Sequence, residues 1–340
     1  MCRIPFAQNY SRISLLVFLL LAGCATSPSS PEAEPAAHPA TAGPPPSPEA
    51  PPADVMMAMD PESDPEPPGG RPDVNAIGDT TLLLQSAGYD VVYSETKQNP
   101  LVVAYFLRPR SPADVEPCAR PPNFLTDDRT AAKIKHDDYT NTGYDRGHMA
   151  PNSAIGRRHG CEAQTETFLM SNIAPQPPGL NQRTWQVFED VVETEYAGEF
   201  EGIWVLTGPA FNPAEIVTLC ETEVEVPVEF WKIVIRRKPD GVLDAAGVIM
   251  KKDERREVPI GTFSTTIDDI EARTGIDFFP DLPPAQELAM EAACPNDDWM
   301  LDRLLDATFS GTPRPICEEP TRARSQSLGT TVGQSPVCAQ

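Results

Sequence analysis

The stretch Gly143-Tyr144-Asp145-Arg146-Gly147-His148-Met149-Ala150-Pro151, with Asn181 and Glu189 downstream, holds side chains suited to hydrolysing a phosphodiester. A histidine can take a proton from water, and an arginine two residues away can offset phosphate charge. An asparagine and a carboxylate can hold a hydrated divalent cation. Neutral imidazole is a competent base near neutral pH, since its unperturbed pKa is about 6.5, so activity is expected to fall as pH drops through the His148 titration. Guanidinium is planar, permanently charged and able to donate two parallel hydrogen bonds to a phosphate. Taken alone, Asp145-Arg146 also reads as a surface ion pair and His148 as a packed histidine at a strand end.

The elements around these residues sharpen the reading. Thr167 to Ile173 reads as a short buried strand, with a turn from Pro175 to Gly179. Leu180 onward is helical in character, and Asn181, Trp185 and Glu189 fall at i, i+4 and i+8 along one side of that helix. Asn181 sits near the helix start, where its amide oxygen could cap the helix or face a ligand. A His-bearing strand or turn, a second strand and this helix make a β-β-α unit. Tyr89 to Ser94, Leu101 to Leu107, Ile203 to Thr207, Phe230 to Ile235 and Val242 to Met250 read as further strands. Thr266 to Arg273 reads as a helix stopped by Gly275. The expected fold is α+β, a largely antiparallel central sheet flanked by helices.

With these residues in place, the chain resembles the DNA/RNA non-specific endonucleases of the ββα-metal superfamily, which include secreted bacterial nucleases and endonuclease G. The matching blocks are Asp145-Arg146-Gly147-His148 with Ala150-Pro151, Ser171-Asn172-Ile173-Ala174-Pro175-Gln176, and Leu180-Asn181 with Trp185 and Glu189. Leu206-Thr207-Gly208-Pro209, Pro227 with Phe230-Trp231-Lys232, and Ile270-Glu271 leading to Phe278-Phe279-Pro280 extend the likeness over roughly residues 85 to 285. The resemblance implies His148 as general base and Asn181 as the direct protein ligand to Mg²⁺, with Mn²⁺ as a substitute. It implies Glu189 holding the ion's waters and Arg146 neutralising the phosphorus centre. Arg120, in Arg120-Pro-Pro-Asn-Phe124, would match the family's upstream arginine. Asp145, Gly147 and Trp185 are motif residues around that set. The implied products of DNA and RNA hydrolysis are 5′-phosphorylated, with binding through phosphates and no sequence specificity. A homodimer and an inhibitor protein are partner classes that this reading leaves open.

Arg3 and Arg12 precede an apolar run, Ile13 to Ala22, which is too short to span a bilayer and fits a signal peptide over residues 1–23. Leu21-Ala22-Gly23-Cys24 resembles a bacterial lipobox, so Cys24 is expected to carry acyl chains that anchor an exported protein, with Ala25 favouring the outer membrane. Residues 24–75 are rich in Pro, Ala, Ser and Glu and read as a disordered tether. The catalytic domain is expected over 76–317, with a flexible tail over 318–340. Six cysteines (118, 161, 220, 294, 317 and 338) remain beyond the leader and anchor, enough for three disulfides in an oxidising compartment, with connectivity open. Cys294 with Cys317 or Cys338 would pin the tail.

Charge argues the other way. The formal net charge is −23, of which residues 1–75 supply −6 and the remainder −17. A nucleic-acid binder normally presents a basic surface, because phosphate contacts dominate affinity. Between Arg129 and Gly160 the sign reverses, with six basic side chains against three acidic ones, which could form a small positive cleft on an acidic body. His136 and His159 read as surface or loop histidines. A phosphodiesterase acting on short nucleotides would tolerate this acidity better, and a binding lipoprotein on the same fold is a further alternative.

Overall fold

Apolar runs that face two ways build one large antiparallel sheet. In a computed structural model that describes residues 64–299, except 113, 115, 221 and 255–259, the chain begins with β1 (Thr81–Ser86), β2 (Tyr89–Ser94) and β3 (Asn99–Leu107). Then come β4 (Asp145–His148), α1 (Asn152–Glu166), β5 (Ile173–Gln176), α2 (Trp185–Val191) and α3 (Ala197–Glu199). The chain continues with β6 (Ile203–Ala210), β7 (Glu229–Arg237), β8 (Leu243–Lys251), β9 (Ser264–Thr265), α4 (Ile267–Thr274) and α5 (Pro284–Glu291). Seven strands pair in the order β1-β2-β3-β6-β7-β8-β9, each antiparallel to its neighbours, while β4 and β5 form a separate antiparallel ladder. This is the expected α+β architecture.

Both faces of the sheet are covered, so its central strands are apolar on both sides. On β7, Phe230 and Val234 join a core with Trp185, Phe188 and Met149, whereas Trp231, Ile233 and Ile235 join a second core with Ile267, Ile270, Phe278 and Phe279. Side chains alternate along a strand, which puts Lys232 on the same face as Phe230 and Val234, under α2. α4 starts and stops as the sequence signals: Thr266 accepts from the Asp269 N–H, and Gly275 ends the helix at φ 72°.

Three expectations need correction. Thr167 to Ile173 is not a strand: Thr167 closes α1, Met170–Asn172 is a 3₁₀ turn, and the strand proper is Ile173–Gln176 with Pro175 inside it. Phe168 and Met170 are buried as separate packing points, and Pro175 is tolerated because in a two-stranded ladder each strand is an edge. The helix α1 went unforeseen because Gly156 and a kink at Gly160 (φ 87°) break its pattern. Within the stretch read as tether, the last residues are docked. Asp73 bridges Asp277, the Trp204 indole N–H donates to the Pro65 carbonyl at 2.9 Å, and Asp64 lies 3.3 Å from His159 Nε2. The leader, Cys24, most of the tether, the Cys317 and Cys338 pairings and the tail lie outside the described residues.

Cys118 and Cys161 form a disulfide that ties the loop before Arg120 to α1. Gln164 clamps the same loop, accepting from Cys118 N at 2.7 Å and donating to Cys118 O at 2.9 Å. Closing a loop of this span (sequence separation 43) stabilises by about 4 kcal/mol on the chain-entropy relation. Replacing both cysteines by serine is expected to cost about that much, read by denaturant unfolding with and without reductant.

Candidate active site

The β4–β5 ladder pairs Asp145 with Gln176, Arg146 with Pro175, Gly147 with Ala174 and His148 with Ile173. Alternation sends Arg146 and His148 to one side and Asp145 and Gly147 to the other. On the first side, Phe124 lies against both: its ring centroid is 5.2 Å from the His148 ring and 5.9 Å from the Arg146 guanidinium. Phe168 meets His148 edge-on at 4.9 Å, and the exposed Arg120 guanidinium stands 5.2 Å from the same Phe168 ring. His148 Nε2 is enclosed without a hydrogen-bond partner. Burial, and then the nearby Arg120 charge, push the His148 pKa down to about 3. The imidazole is thus neutral at pH 7 with an acceptor nitrogen, though a weaker base than an ordinary histidine, and its titration moves below the ordinary range expected from the sequence.

His136 lies half-buried in a 3₁₀ turn (His136–Tyr139) of the connection between β3 and β4, within its reading as a surface or loop histidine, and it organises this side. Its carbonyl accepts from Arg146 Nε at 2.9 Å and from Nη2, and its Nδ1 accepts from the Phe124 N–H at 3.1 Å. Arg146 also donates to Thr140 Oγ1 at 3.0 Å. His159, in contrast, belongs to α1 and faces Asp64. Neither role is written in local sequence, because both partners come from other segments.

On the second side, Asn181 does not cap a helix. It lies in a π-turn, Leu180–Thr184, that precedes α2, and its Nδ2 donates to Asp145 Oδ2 at 2.9 Å, joined there by Gln182 Nε2 at 2.7 Å. With the amide nitrogen turned to Asp145, Asn181 Oδ1 is the atom left for a cation. Asn172, fully buried, fixes the exit of β4: its Oδ1 accepts from Ala150 N at 2.9 Å and its Nδ2 donates to Ala150 O at 3.1 Å. Gly147 is required by space, since a Cβ there would stand 2.1 Å from Oε1 of the wholly buried Gln176. Gly147→Ala is expected to cost about 1–3 kcal/mol and to displace the flanking Asp145 and His148, so melting and turnover should fall together.

Trp185, expected on the same stripe as Asn181 and Glu189, is a buried wall packed edge-on against Phe230 at 6.0 Å. Glu189 Oε1 sits 3.7 Å from Nζ of Lys232, whose side chain is fully buried, 4.7 Å above the Trp185 ring and 3.5 Å from the Tyr105 hydroxyl. Burial pushes the Glu189 pKa up to about 7 against the pull of Lys232, and burial lowers that of Lys232 against the pull of Glu189. Sequence reasoning assigned Lys232 no role. The signal was present, a lysine inside the apolar run Phe230 to Ile235, because a buried ammonium needs a partner.

The expected positive cleft over Arg129 to Gly160 is largely cancelled. Arg129 pairs with Asp127 at 2.7 Å, Lys133 with Asp128 at 3.0 Å, and Arg157 and Arg158 share Glu193 at 2.7 and 3.4 Å. These partners lie outside the counted window, so a local tally misses them. Arg120 and Arg146 are the cations placed beside His148.

This geometry has relatives. Residues 72–285 match the DNA/RNA non-specific endonuclease family. The chain belongs to that family. It is 29% identical to human mitochondrial endonuclease G over 209 residues, covering 57% of this chain and 68% of that protein. It is 26% identical to a nuclease of Nostoc sp. over 246 residues, covering 67% and 84%. A solved structure of an EndoG/EndoGI complex superposes with a TM-score of 0.53 at 24% identity, covering 60% of this chain and 88% of that one. The nuclease is therefore a phosphodiester hydrolase acting on nucleic acid, and the solved structure shares its α+β fold.

Proposed function

We propose that the nuclease is an Mg²⁺-dependent endonuclease that cuts DNA and RNA alike, with His148 as general base. The carrying observation is a neutral imidazole with an enclosed, partnerless Nε2, flanked by Arg120 and Arg146 on one aromatic platform. The neighbouring donors fit a hard cation. Asn181 Oδ1, Asp145 and Glu189, whose Oε1 stands 3.7 Å from Lys232 Nζ, all offer oxygens, and Mg²⁺ prefers few protein oxygens and several waters. Asn181 would bind the ion directly and Glu189 its waters. When bound, Mg²⁺ supplies charge that stabilises the departing 3′-oxygen. His148 takes the proton of the attacking water, Arg146 and Arg120 offset the charge gathering on the phosphate, and Asp145 keeps the Asn181 amide in one orientation. The product ends carry 5′-phosphate.

Supercoiled plasmid and a structured RNA are both expected to be cut by the purified protein with Mg²⁺ and left intact with EDTA. Cleavage of dinucleotides without either polymer would instead support a phosphodiesterase of short substrates, a reading favoured by the −17 charge of residues 76–340 and by the paired arginines. We also propose export and lipid anchoring at Cys24. The lipobox-like Leu21-Ala22-Gly23-Cys24 and the Cys118–Cys161 disulfide, which suits an oxidising compartment, support it.

A further inference from the structure

Five carboxylates converge between α4 and α5, which pack on the face of the sheet opposite the Trp185 core. Asp268 and Glu271 stand at i, i+3 on α4, Glu287 and Glu291 at i, i+4 on α5, and Asp277 lies in the connection. Same-sign pairs at these helical spacings ordinarily destabilise. One oxygen each from Asp268, Glu271 and Glu291 lies within 4.8 Å of the others, and the same holds for Asp277, Glu287 and Glu291. Glu291 belongs to both groups. It is only 7% exposed, and its Oε1 is enclosed with no hydrogen-bond partner. Among the described residues no lysine or arginine pairs with any of the five, and Arg273, the basic residue of α4, is committed to Asp269 at 2.9 Å and Glu229 at 3.0 Å.

A buried carboxyl ringed by four others is costly as an anion, so it either shares a proton with Glu271 or takes a cation. Two oxygens bound to one Ca²⁺ at about 2.4 Å stand at most about 5 Å apart, which is the span that each group occupies. We infer that these carboxylates form a second divalent-cation site, of the Ca²⁺ class and separate from the catalytic residues, which ties α4 to α5. Ca²⁺ suits it better than Mg²⁺ because the larger ion takes many carboxylate oxygens in flexible geometry. Burial and the four neighbouring carboxylates push Glu291 up to about 8, the direction that a missing counter-charge produces.

Calcium binding and thermal melting of the full-length protein, stripped with EGTA and free of nucleic acid, test the site. Wild type and Asn181→Ala are both expected to keep this Ca²⁺ and to melt about 5–10 °C higher at a hundredfold excess over Kd. Glu291→Gln is expected to lose both responses and, with one fewer like charge, to melt above wild type in EGTA. No shift in wild type at millimolar Ca²⁺, or a shift retained in Glu291→Gln, overturns the site. A response lost in Asn181→Ala instead assigns the ion to the catalytic residues and overturns it too. Should Glu291→Gln fail to fold, Asp268→Asn combined with Glu287→Gln, nearer the surface, makes the same discrimination.

Discussion

His148→Ala is expected to lower kcat by about 10²–10⁴-fold, the usual contribution of a positioned general base. Substrate affinity should change little, because Arg120 and Arg146 stay in place. Added imidazole should restore part of the activity, since the deleted ring leaves a cavity between Phe124 and Phe168, and a merely structural loss would not respond. The pH profile follows from the same environment. A depressed pKa keeps His148 neutral as pH falls through 6.5, so the base is lost only as pH approaches about 3. Glu189, raised to about 7, gains its proton first. In the metal-free protein a titration near neutrality therefore belongs to Glu189 and should vanish in Glu189→Gln. A limb near pH 6.5 that survives in Glu189→Gln would contradict the depressed imidazole.

Much of this was legible in the sequence because short, strongly patterned segments decide it. β2, β3, β6, β7 and β8 fall close to where β-branched and aromatic runs place them, and Thr266 and Gly275 bracket α4. The Asp145-Arg146-Gly147-His148 block and Asn181 are likewise brought into one β-β-α unit. What stayed hidden depends on distant partners. Pro175 argues for a turn in isolation and is accepted in a two-stranded ladder. Lys232 reads as an oddity until α2 covers it with Glu189. The positive balance from Arg129 to Gly160 dissolves because Asp127, Asp128 and Glu193 reach in from beyond it.

Asn181→Ala is expected to lower turnover by at least about a hundredfold at fixed Mg²⁺, with the loss partly recovered at high Mg²⁺, because on the proposed mechanism its side chain would supply the oxygen that binds the ion. Asp145→Ala should mimic it more weakly, by about 10–100-fold in metal affinity. Its carboxylate touches the Asn181 amide nitrogen at 2.9 Å and holds the oxygen outward. Equal loss in both variants with unchanged metal dependence would instead mean that the Asp145–Asn181 contact matters only for folding.

The division of labour between base and metal-bearing residues is tested most directly by Mn²⁺ binding, followed by electron paramagnetic resonance, on His148→Ala and Asn181→Ala side by side. With the α4–α5 carboxylates occupied by Ca²⁺, His148→Ala should bind Mn²⁺ as wild type does while failing to cleave, and Asn181→Ala should lose the bound signal. Wild-type Mn²⁺ binding in Asn181→Ala, or its loss in His148→Ala, would contradict the assignment of the two residues.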